Sequence, residues 1–86
     1  MNCQFIDESW DDYLFWQQND KKILARINAL IKDISRNHFT GIGKPELLKH
    51  SFKGYWSRRI DNEHRLIYKI QDGIIIIAKC RYHYDK

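Results

Sequence analysis

The sequence contains little that interrupts or cross-links a chain, with four Gly, one Pro and two Cys among 86 residues. Two cysteines without framework spacing do not make a secreted disulfide scaffold. Cys3 and Cys80 lie in apolar, strand-like segments, so we expect both to be buried and reduced. This cysteine usage favours a cytoplasmic protein.

Long hydrophobic runs are also missing. The longest run, residues 74–78, has five residues, whereas a membrane span needs about 20. The N-terminus has neither the basic start nor the sustained apolar run of a signal peptide. We therefore expect no membrane contact.

Metal-binding motifs are absent from the sequence. It has no HExxH, no CxxC pair and no clustered acidic triad, and its four His are far apart, at positions 38, 50, 64 and 83. A chain of this length has room for one site but not for a cofactor-binding fold. We expect neither a metal nor a cofactor.

The hydrophobic residues that are present suffice for one core. The chain is 43% hydrophobic and includes three Trp, five Tyr and four Phe. At this size a single core buries roughly two-thirds of the surface that the unfolded chain exposes. We predict one domain over residues 1–86.

Charge is unevenly distributed along the chain, which has a formal net charge of +4. Residues 1–43 hold five Lys/Arg and six acids, whereas residues 44–86 hold ten Lys/Arg and five acids. A basic half suits a polyanionic partner such as nucleic acid. The alternative is a solvated surface whose charge only aids solubility.

The N-terminal half predicts a strand followed by two helices. Residues 2–6 have a strand-like pattern, and Asp7 is placed to cap the first helix. Asp20 is placed to cap the second, whose apolar stripe continues to about Asn37. The two helices are expected to form a hairpin.

The C-terminal half predicts a loop followed by three strands. Gly41, Gly43 and Pro45 indicate an exposed loop within residues 38–54. The segments 55–60, 64–70 and 74–82 have strand character. The order β-α-α-β-β-β predicts an α+β fold in which helices cover one face of an antiparallel sheet.

Alternation along the last two strands predicts that the sheet face away from the helices is cationic. The residues assigned to this face are Arg65, Lys69, Lys79, Arg81 and His83, interrupted by Ile67, Ile75 and Ile77.

A basic surface that meets RNA could also cut it, because RNA carries its own nucleophile, the 2′-hydroxyl. Cleavage needs a base for this hydroxyl, a cation for the phosphate and an acid for the leaving 5′-oxygen. Glu46, Arg65 and His83 are the candidates. Each has a plainer interpretation: an ordinary loop carboxylate, a salt-bridge partner for Glu63 or Asp61, and a solvent-facing histidine near the chain end.

Five segments together resemble the YoeB (Txe) toxins of the RelE/ParE superfamily. They are ESWDDYL at 8–14, GIGKPELLKH at 41–50, GYWSRRI at 54–60, EHRLIY at 63–68 and CRYHY at 80–84. The resemblance runs nearly end to end, in order and at the family's spacing. It implies a RelE-like, microbial-ribonuclease-like fold, with two N-terminal helices on a twisted antiparallel sheet of about four to five strands.

The resemblance implies a toxin of a type II toxin–antitoxin system. Such toxins are ribosome-dependent endoribonucleases, or mRNA interferases, which cut messenger RNA in the ribosomal A site and stop translation. They work by general acid–base chemistry without a metal and leave a 2′,3′-cyclic phosphate and a 5′-hydroxyl.

Residue roles are carried over from the same resemblance. Glu46 stands where the family has its general base and His83 where it has its general acid, while Arg65 is placed to stabilise the developing phosphate charge. Four further positions are implied to support them: Lys49 and Arg59 by holding phosphates, Tyr84 by shaping the site and Glu63 by orienting an Arg or His.

The implied partners are mRNA, the ribosome (30S/70S) and a YefM/Phd-type antitoxin. An acidic, largely disordered antitoxin tail would cover the cationic face, and the complex would reach operator DNA only through the antitoxin. Whether the free toxin forms a homodimer stays open. The competing interpretation is a non-catalytic basic RNA- or ribosome-binding module that an antitoxin regulates.

Overall fold

The computed structural model describes residues 1–83, which form two helices, five strands and one 3₁₀ turn. In chain order these are β1 (Asn2–Phe5), α1 (Ser9–Asn19), α2 (Lys21–Arg36), β2 (Glu46–Leu47), the 3₁₀ turn His50–Phe52, β3 (Trp56–Arg59), β4 (Arg65–Gln71) and β5 (Ile74–Lys79). Neither helix in this part of the chain is long and apolar enough to cross a membrane.

The five strands form one sheet in the order β1-β5-β4-β3-β2, and the two helices pack on it. The predicted α+β fold class is therefore confirmed. The sheet is mixed rather than wholly antiparallel, because β1 runs parallel to β5. Apolar alternation indicates which face of a strand is buried but not the direction in which the strand runs, so the sequence did not reveal this difference.

The main core lies between α2 and the central strands. Ile27, Leu30 and Ile34 of α2 are fully buried, as the predicted amphipathic stripe requires. Across from them lie the fully buried side chains Leu66, Tyr68, Ile75 and Ile77 of β4 and β5. A hydrogen bond from the Tyr13 hydroxyl to Asn28 joins α1 to α2 in the predicted hairpin.

The two predicted helix caps have different outcomes. Asp20 caps α2 as predicted, because its carboxylate accepts from the backbone N–H groups of Lys22 and Ile23. The prediction for Asp7 is wrong: α1 begins after Glu8, with no side-chain cap. Asp7 instead has a φ of +54° in the turn that separates β1 from α1, so its side chain is not in the capping position.

The prediction of which face of β5 is cationic is wrong in part, because a β-bulge lies between β4 and β5. Tyr68 pairs with Ile77 and the preceding Ile67 pairs with Lys79, so β5 has one extra residue at this point. The extra residue reverses the alternation, and Ile75 and Ile77 lie in the core rather than on the cationic face.

The cysteines are both free, and Cys80 is buried as expected. Cys3 is exposed, contrary to the prediction, because β1 is an edge strand whose first residues are largely open to solvent.

Candidate active site

A cavity of about 350 Å³ opens beside β3 and β4 on the sheet face away from the helices. It is lined by Lys44, Pro45, Glu46, Ser57, Arg59, Arg65 and His83. Three of the lining side chains are Lys or Arg, one is His and only one is acidic. The cavity therefore combines a carboxylate, an imidazole and several cations, as attack on a phosphodiester requires.

Strand register accounts for most of this convergence. Glu46 on β2 is directly opposite Ser57 on β3, and Arg59 on β3 is directly opposite Arg65 on β4. Directly opposed residues of antiparallel strands project from the same face. Four side chains from three strands are thus placed side by side, although they span 20 sequence positions from Glu46 to Arg65.

The loop that precedes Lys44 and β2 is held by Arg58, which is fully buried. Its guanidinium forms a salt bridge with Asp33 of α2 and donates hydrogen bonds to the carbonyl groups of Asn37, Thr40 and Ile42. Its Nε donates to the Tyr68 hydroxyl. A buried guanidinium is stable only when such partners satisfy its donors, so this cluster sets the path of residues 37–42.

The pKa of Asp33 and the close approach of Gly41 both reflect the contacts between Asp33, Arg58 and the loop. The hydrogen bond from Arg58 holds the pKa of the Asp33 carboxyl below its ordinary value, and a backbone bond from Ile42 acts in the same direction. A Cβ atom at Gly41, where φ is +115°, would lie only 2.1 Å from an Asp33 carboxylate oxygen. The loop therefore needs glycine at this position.

Arg65 is 7% exposed, although it carries a charge. Its Nη1 donates to the carbonyl groups of Asp61 and His64. Within residues 1–83 its other guanidinium nitrogens form no hydrogen bond, so they remain available to a bound anion.

The chain leaves the sheet after Lys79, and residues 80–83 form a separate C-terminal segment. The prediction that the last strand continues to residue 82 is therefore wrong. The Cys80 N–H donates to Asp12 and the Cys80 carbonyl accepts from the Trp16 indole, so two side chains of α1 hold this residue away from the strand ladder. Burial raises the pKa of the Asp12 carboxyl above its ordinary value.

The C-terminal segment then turns towards β4. Tyr82 has a φ of +67°, which is uncommon for a bulky residue. Its N–H donates to His64 and its carbonyl accepts from the Arg65 N–H. The turn places His83 against the cavity that also contains Glu46 and Arg65.

His83 also borders a second depression of about 380 Å³, which Glu63, Lys79 and Tyr82 line with it. The Lys79 ammonium group donates to the His83 carbonyl at 3.2 Å. His83 thus lies between a cationic cavity and this neighbouring depression.

The structure brings together most of the predicted site residues. Glu46, Arg59, Arg65 and His83 line the cavity, and Glu63 lines the neighbouring depression. Lys49 does not line either one: it lies beside His50 and Lys53 around a third depression, past the end of β2. Tyr84 lies outside the described residues, so its predicted role stays a prediction.

Sequence reasoning missed three residues that build the site. Lys44 and Ser57 line the cavity, and Arg58 holds the loop beside it. Alternation indicates that Arg58 and Arg59 point to opposite faces. It does not indicate which of the two is buried, because the salt bridge with Asp33 joins residues that are 25 positions apart.

Metal-ligand clusters do not occur among residues 1–83: no group of three or more His, Cys, Asp or Glu side chains is arranged to hold an ion. The side chains that line the cavity offer acid–base and electrostatic chemistry. A carboxylate can accept a proton, an imidazole can donate one, and guanidinium groups can stabilise negative charge.

Known proteins are similar to this chain in sequence and in fold along almost their full length. The family model of the YoeB-like toxin of bacterial type II toxin–antitoxin systems matches residues 5–84. Toxin YoeB of Escherichia coli (strain K12) is 60% identical over 84 residues, which cover 98% of this chain and 100% of that protein.

Two structures from Staphylococcus aureus resemble this one closely. One is a heterotetrameric complex of YoeB–YefM toxin–antitoxin, with a TM-score of 0.90, 52% identity and coverage of 98% of both chains. The other is a YoeB dimer, with a TM-score of 0.91, 52% identity and the same coverage.

The family model and these relatives show that the chain is a small toxin of a bacterial type II toxin–antitoxin system. Within that class, the chain belongs to the YoeB toxin family.

Proposed function

We propose that this toxin is an endoribonuclease that cuts messenger RNA in the A site of the ribosome. The observation that carries the proposal is the convergence of Glu46, Arg65 and His83 on one cationic cavity. These three side chains are distant along the sequence, and a surface that only bound RNA would not need a carboxylate among its cations. The domain over residues 1–86 carries the activity, in the cytoplasm where ribosomes are found.

In the proposed reaction Glu46 takes the proton from the 2′-hydroxyl as that oxygen attacks the adjacent phosphorus. His83 gives a proton to the leaving 5′-oxygen, and Arg65 stabilises the charge that builds on the phosphate oxygens. The bond from phosphorus to the 5′-oxygen breaks, which leaves a 2′,3′-cyclic phosphate upstream and a 5′-hydroxyl downstream. The reaction needs no metal.

The structure suits these roles in different ways. Glu46 is exposed and forms no salt bridge with residues 1–83, so its carboxylate is open to a substrate hydroxyl. Imidazole gains and loses a proton near neutral pH, which suits an acid that must be reloaded in every cycle. Arg59 and Lys44 supply further positive charge for the flanking phosphates.

The remaining predicted residues would act at the margins of this site. Glu63 lines the neighbouring depression together with His83, and its proposed role is to orient an Arg or His. Lys49 would meet a phosphate only if the RNA continues past the end of β2. Tyr84 is proposed to shape the site beside the scissile bond. The ribosome would complete the arrangement by holding the RNA with its 2′-hydroxyl in line for attack.

The test uses purified toxin and ribosomes that carry a defined A-site codon. Wild-type protein should cut within that codon and produce the two stated termini. Glu46→Gln should slow cleavage about 10²-fold, and His83→Gln and Arg65→Met about 10²- to 10³-fold. His50→Asn and Asp11→Asn, which change a histidine and a carboxylate outside the cavity, should cleave at the wild-type rate.

Two outcomes would contradict the proposal. If the wild-type protein binds programmed ribosomes and stops translation without new RNA ends, it is a binding module and not a nuclease. If Glu46→Gln and His83→Gln cleave like the wild type while remaining folded, the assignment of base and acid is wrong.

A YefM/Phd-type antitoxin is the proposed regulator. The Staphylococcus aureus YoeB structure is described as a complex with YefM, and the cationic cavity suits an acidic antitoxin tail. Binding should therefore weaken as salt is raised and should stop cleavage. Contact with operator DNA would come from the antitoxin. Sedimentation of the free toxin would measure whether it self-associates as the Staphylococcus aureus YoeB dimer does.

A further inference from the structure

His64 lies where α1, β4 and the C-terminal segment meet. It is 9% exposed. Its ring packs edge-on against Trp16 of α1, with centroids 4.8 Å apart, and is 6.0 Å from the ring of Tyr82. A histidine in this position contacts α1 through Trp16 and the C-terminal segment through Tyr82, next to the contact of Arg81 with the ring of Phe15.

The hydrogen bond between His64 and Tyr82 fixes the state of the ring. The Tyr82 N–H points at Nδ1 of His64 from 2.8 Å. A backbone amide can only donate, so Nδ1 must accept and the hydrogen of the neutral ring must be on Nε2. The carboxylate of Glu63 lies 3.6 Å from Nε2. This distance is long for a hydrogen bond, but the negative charge favours the same tautomer.

Both sides of Tyr82 are held by consecutive residues, His64 just before β4 and Arg65 at its start. The Tyr82 N–H is bound by the His64 side chain, and the Tyr82 carbonyl is bound by the Arg65 N–H at 3.1 Å. The left-handed φ of Tyr82 is unfavourable for this residue type, so surrounding contacts must maintain it. The next residue, His83, lines the cavity with Arg65.

We propose that His64 is a positioning residue, which holds the C-terminal segment so that His83 faces the same cavity as Arg65 and Glu46. This inference rests on the proposed nuclease function and deepens it. His64 does not touch the substrate. It acts through the Tyr82 amide and only while Nδ1 is unprotonated.

Several charged and titratable groups surround this contact. From the β3–β4 turn come Glu63 and Asp61, whose carboxylate accepts from the His64 N–H. From the other neighbouring elements come Arg65 of β4, Asp12 of α1, and Arg81 and Tyr82 of the C-terminal segment.

Two substitutions distinguish the hydrogen bond that His64 accepts from Tyr82 from the packing of the His64 side chain on Trp16. In His64→Asn the amide oxygen stands near the position of Nδ1 and accepts from Tyr82, but it cannot be protonated. In His64→Leu a side chain of similar bulk still packs on Trp16 and offers no acceptor. We expect the Leu variant to lose about 10- to 100-fold in kcat on programmed ribosomes, because the imidazole of His83 would shift by up to about one ångström.

The Leu variant should keep its KM within about threefold, since the residues that would hold phosphates are unchanged. The Asn variant should stay within about threefold of the wild type in kcat. Equal kcat for wild type and the Leu variant would overturn the proposal. So would equal losses in the Asn and Leu variants when both melt near the wild-type temperature, because the acceptor would then be irrelevant.

A readout without RNA separates this inference from the nuclease proposal. Nitrogen-15 NMR of the free toxin should show His64 with its hydrogen on Nε2. Exchange of the Tyr82 amide should be slow in the wild type and the Asn variant and fast in the Leu variant. A wild-type toxin that leaves no cyclic phosphate while showing these NMR signatures would refute the nuclease and leave the contact intact. Rapid Tyr82 exchange in a wild type that cuts RNA would refute the positioning role alone.

Discussion

Two adjacent arginines of β3, Arg58 and Arg59, lie in opposite environments. Arg58 is fully buried among the carbonyl groups of residues 37–42 and the carboxylate of Asp33, whereas Arg59 is exposed at the cavity. A buried guanidinium that satisfies so many acceptors is structural. The exposed neighbour is free to meet a phosphate. Arg58 therefore holds the loop beside the cavity, whereas Arg59 lines the cavity itself.

Replacing Arg58 should show its structural role. Arg58→Met keeps most of the side-chain length but leaves the loop carbonyl groups and Asp33 without their donor. We expect the free energy of unfolding in urea to fall by about 3–5 kcal/mol. Arg59→Met is the matched control and should stay within about 0.5 kcal/mol of the wild type. A similar small change for both variants would show that the buried cluster does not hold the loop.

The two cysteines should differ in reactivity towards a thiol reagent. Burial raises the pKa of the Cys80 thiol to about 12, so at pH 8 only about one molecule in 10⁴ carries the thiolate. Cys3 is exposed on edge strand β1 and should react in the native protein, although desolvation raises its pKa too. One equivalent should therefore be modified before urea is added and a second afterwards.

The cysteine assignment has a simple control. Cys3→Ser should remove the modification that occurs in the native protein and leave the one that follows unfolding. Modification of the folded Cys3→Ser variant within minutes would mean that Cys80 is accessible and that the anchor of the C-terminal segment opens readily.

At the element scale, the loop between α2 and β2 approaches β3 closely at Gly43. The Gly43 carbonyl accepts from the Arg59 N–H at 2.7 Å, and φ is +82°. A Cβ atom here would lie 2.8 Å from a methyl group of Leu30 and 3.1 Å from the Cβ of Arg58. The absence of a side chain therefore lets the loop cross directly over the core.

Alanine at Gly43 should be more harmful than alanine at Gly73, which provides a matched control. Gly73 also has a positive φ, of +74°, but no atom lies within 4 Å of its added Cβ. We expect Gly73→Ala to cost about 1 kcal/mol, from the left-handed backbone alone. Gly43→Ala should cost about 1–3 kcal/mol more, because the core is overpacked as well. Urea unfolding at constant pH measures both, and equal losses would contradict the close approach.

At the scale of the whole molecule, two aspartates on different helices should change the pH dependence of stability in opposite directions. Asp33 has a lowered pKa because of its bond from Arg58, so its contribution is present above the ordinary value of 3.8 and is lost as pH falls through the lowered value. Asp12 has a raised pKa because it is desolvated. Its ionisation therefore costs stability as pH rises from 3.8 through the raised value.

Asparagine at each position should reveal these opposite signs. Stability curves of wild type and Asp33→Asn should converge in acid, and the variant should become less stable than the wild type as pH rises towards 3.8. Asp12→Asn, which keeps an acceptor for the Cys80 N–H, should become more stable than the wild type above pH 3.8. Chemical unfolding at several pH values from about 2 to 7 tests this. Parallel curves for all three proteins would contradict the assignment.

Both helices, most of the strands and the family of this protein could be predicted from the sequence, because they depend on local patterns. Strand β2, within the predicted loop, and the end of β5 could not. The Asp20 cap, the apolar stripe of α2 and the Gly/Pro loop follow from chemistry within a few residues, and the motifs that resemble YoeB toxins are contiguous segments. The choice of Glu46, Arg59, Arg65 and His83 also came from these segments. Their convergence follows from a strand register that the sequence does not specify.

The arrangement of these parts in space follows from tertiary contacts. Contacts between distant positions set three features of the fold. They set the direction of β1, the bulge that places Ile75 and Ile77 in the core, and the departure of residues 80–83 from the sheet. Which of Arg58 and Arg59 is buried depends on Asp33, and the direction of His83 depends on His64 and Arg65. Such partners are brought together by packing, so no local pattern could reveal them.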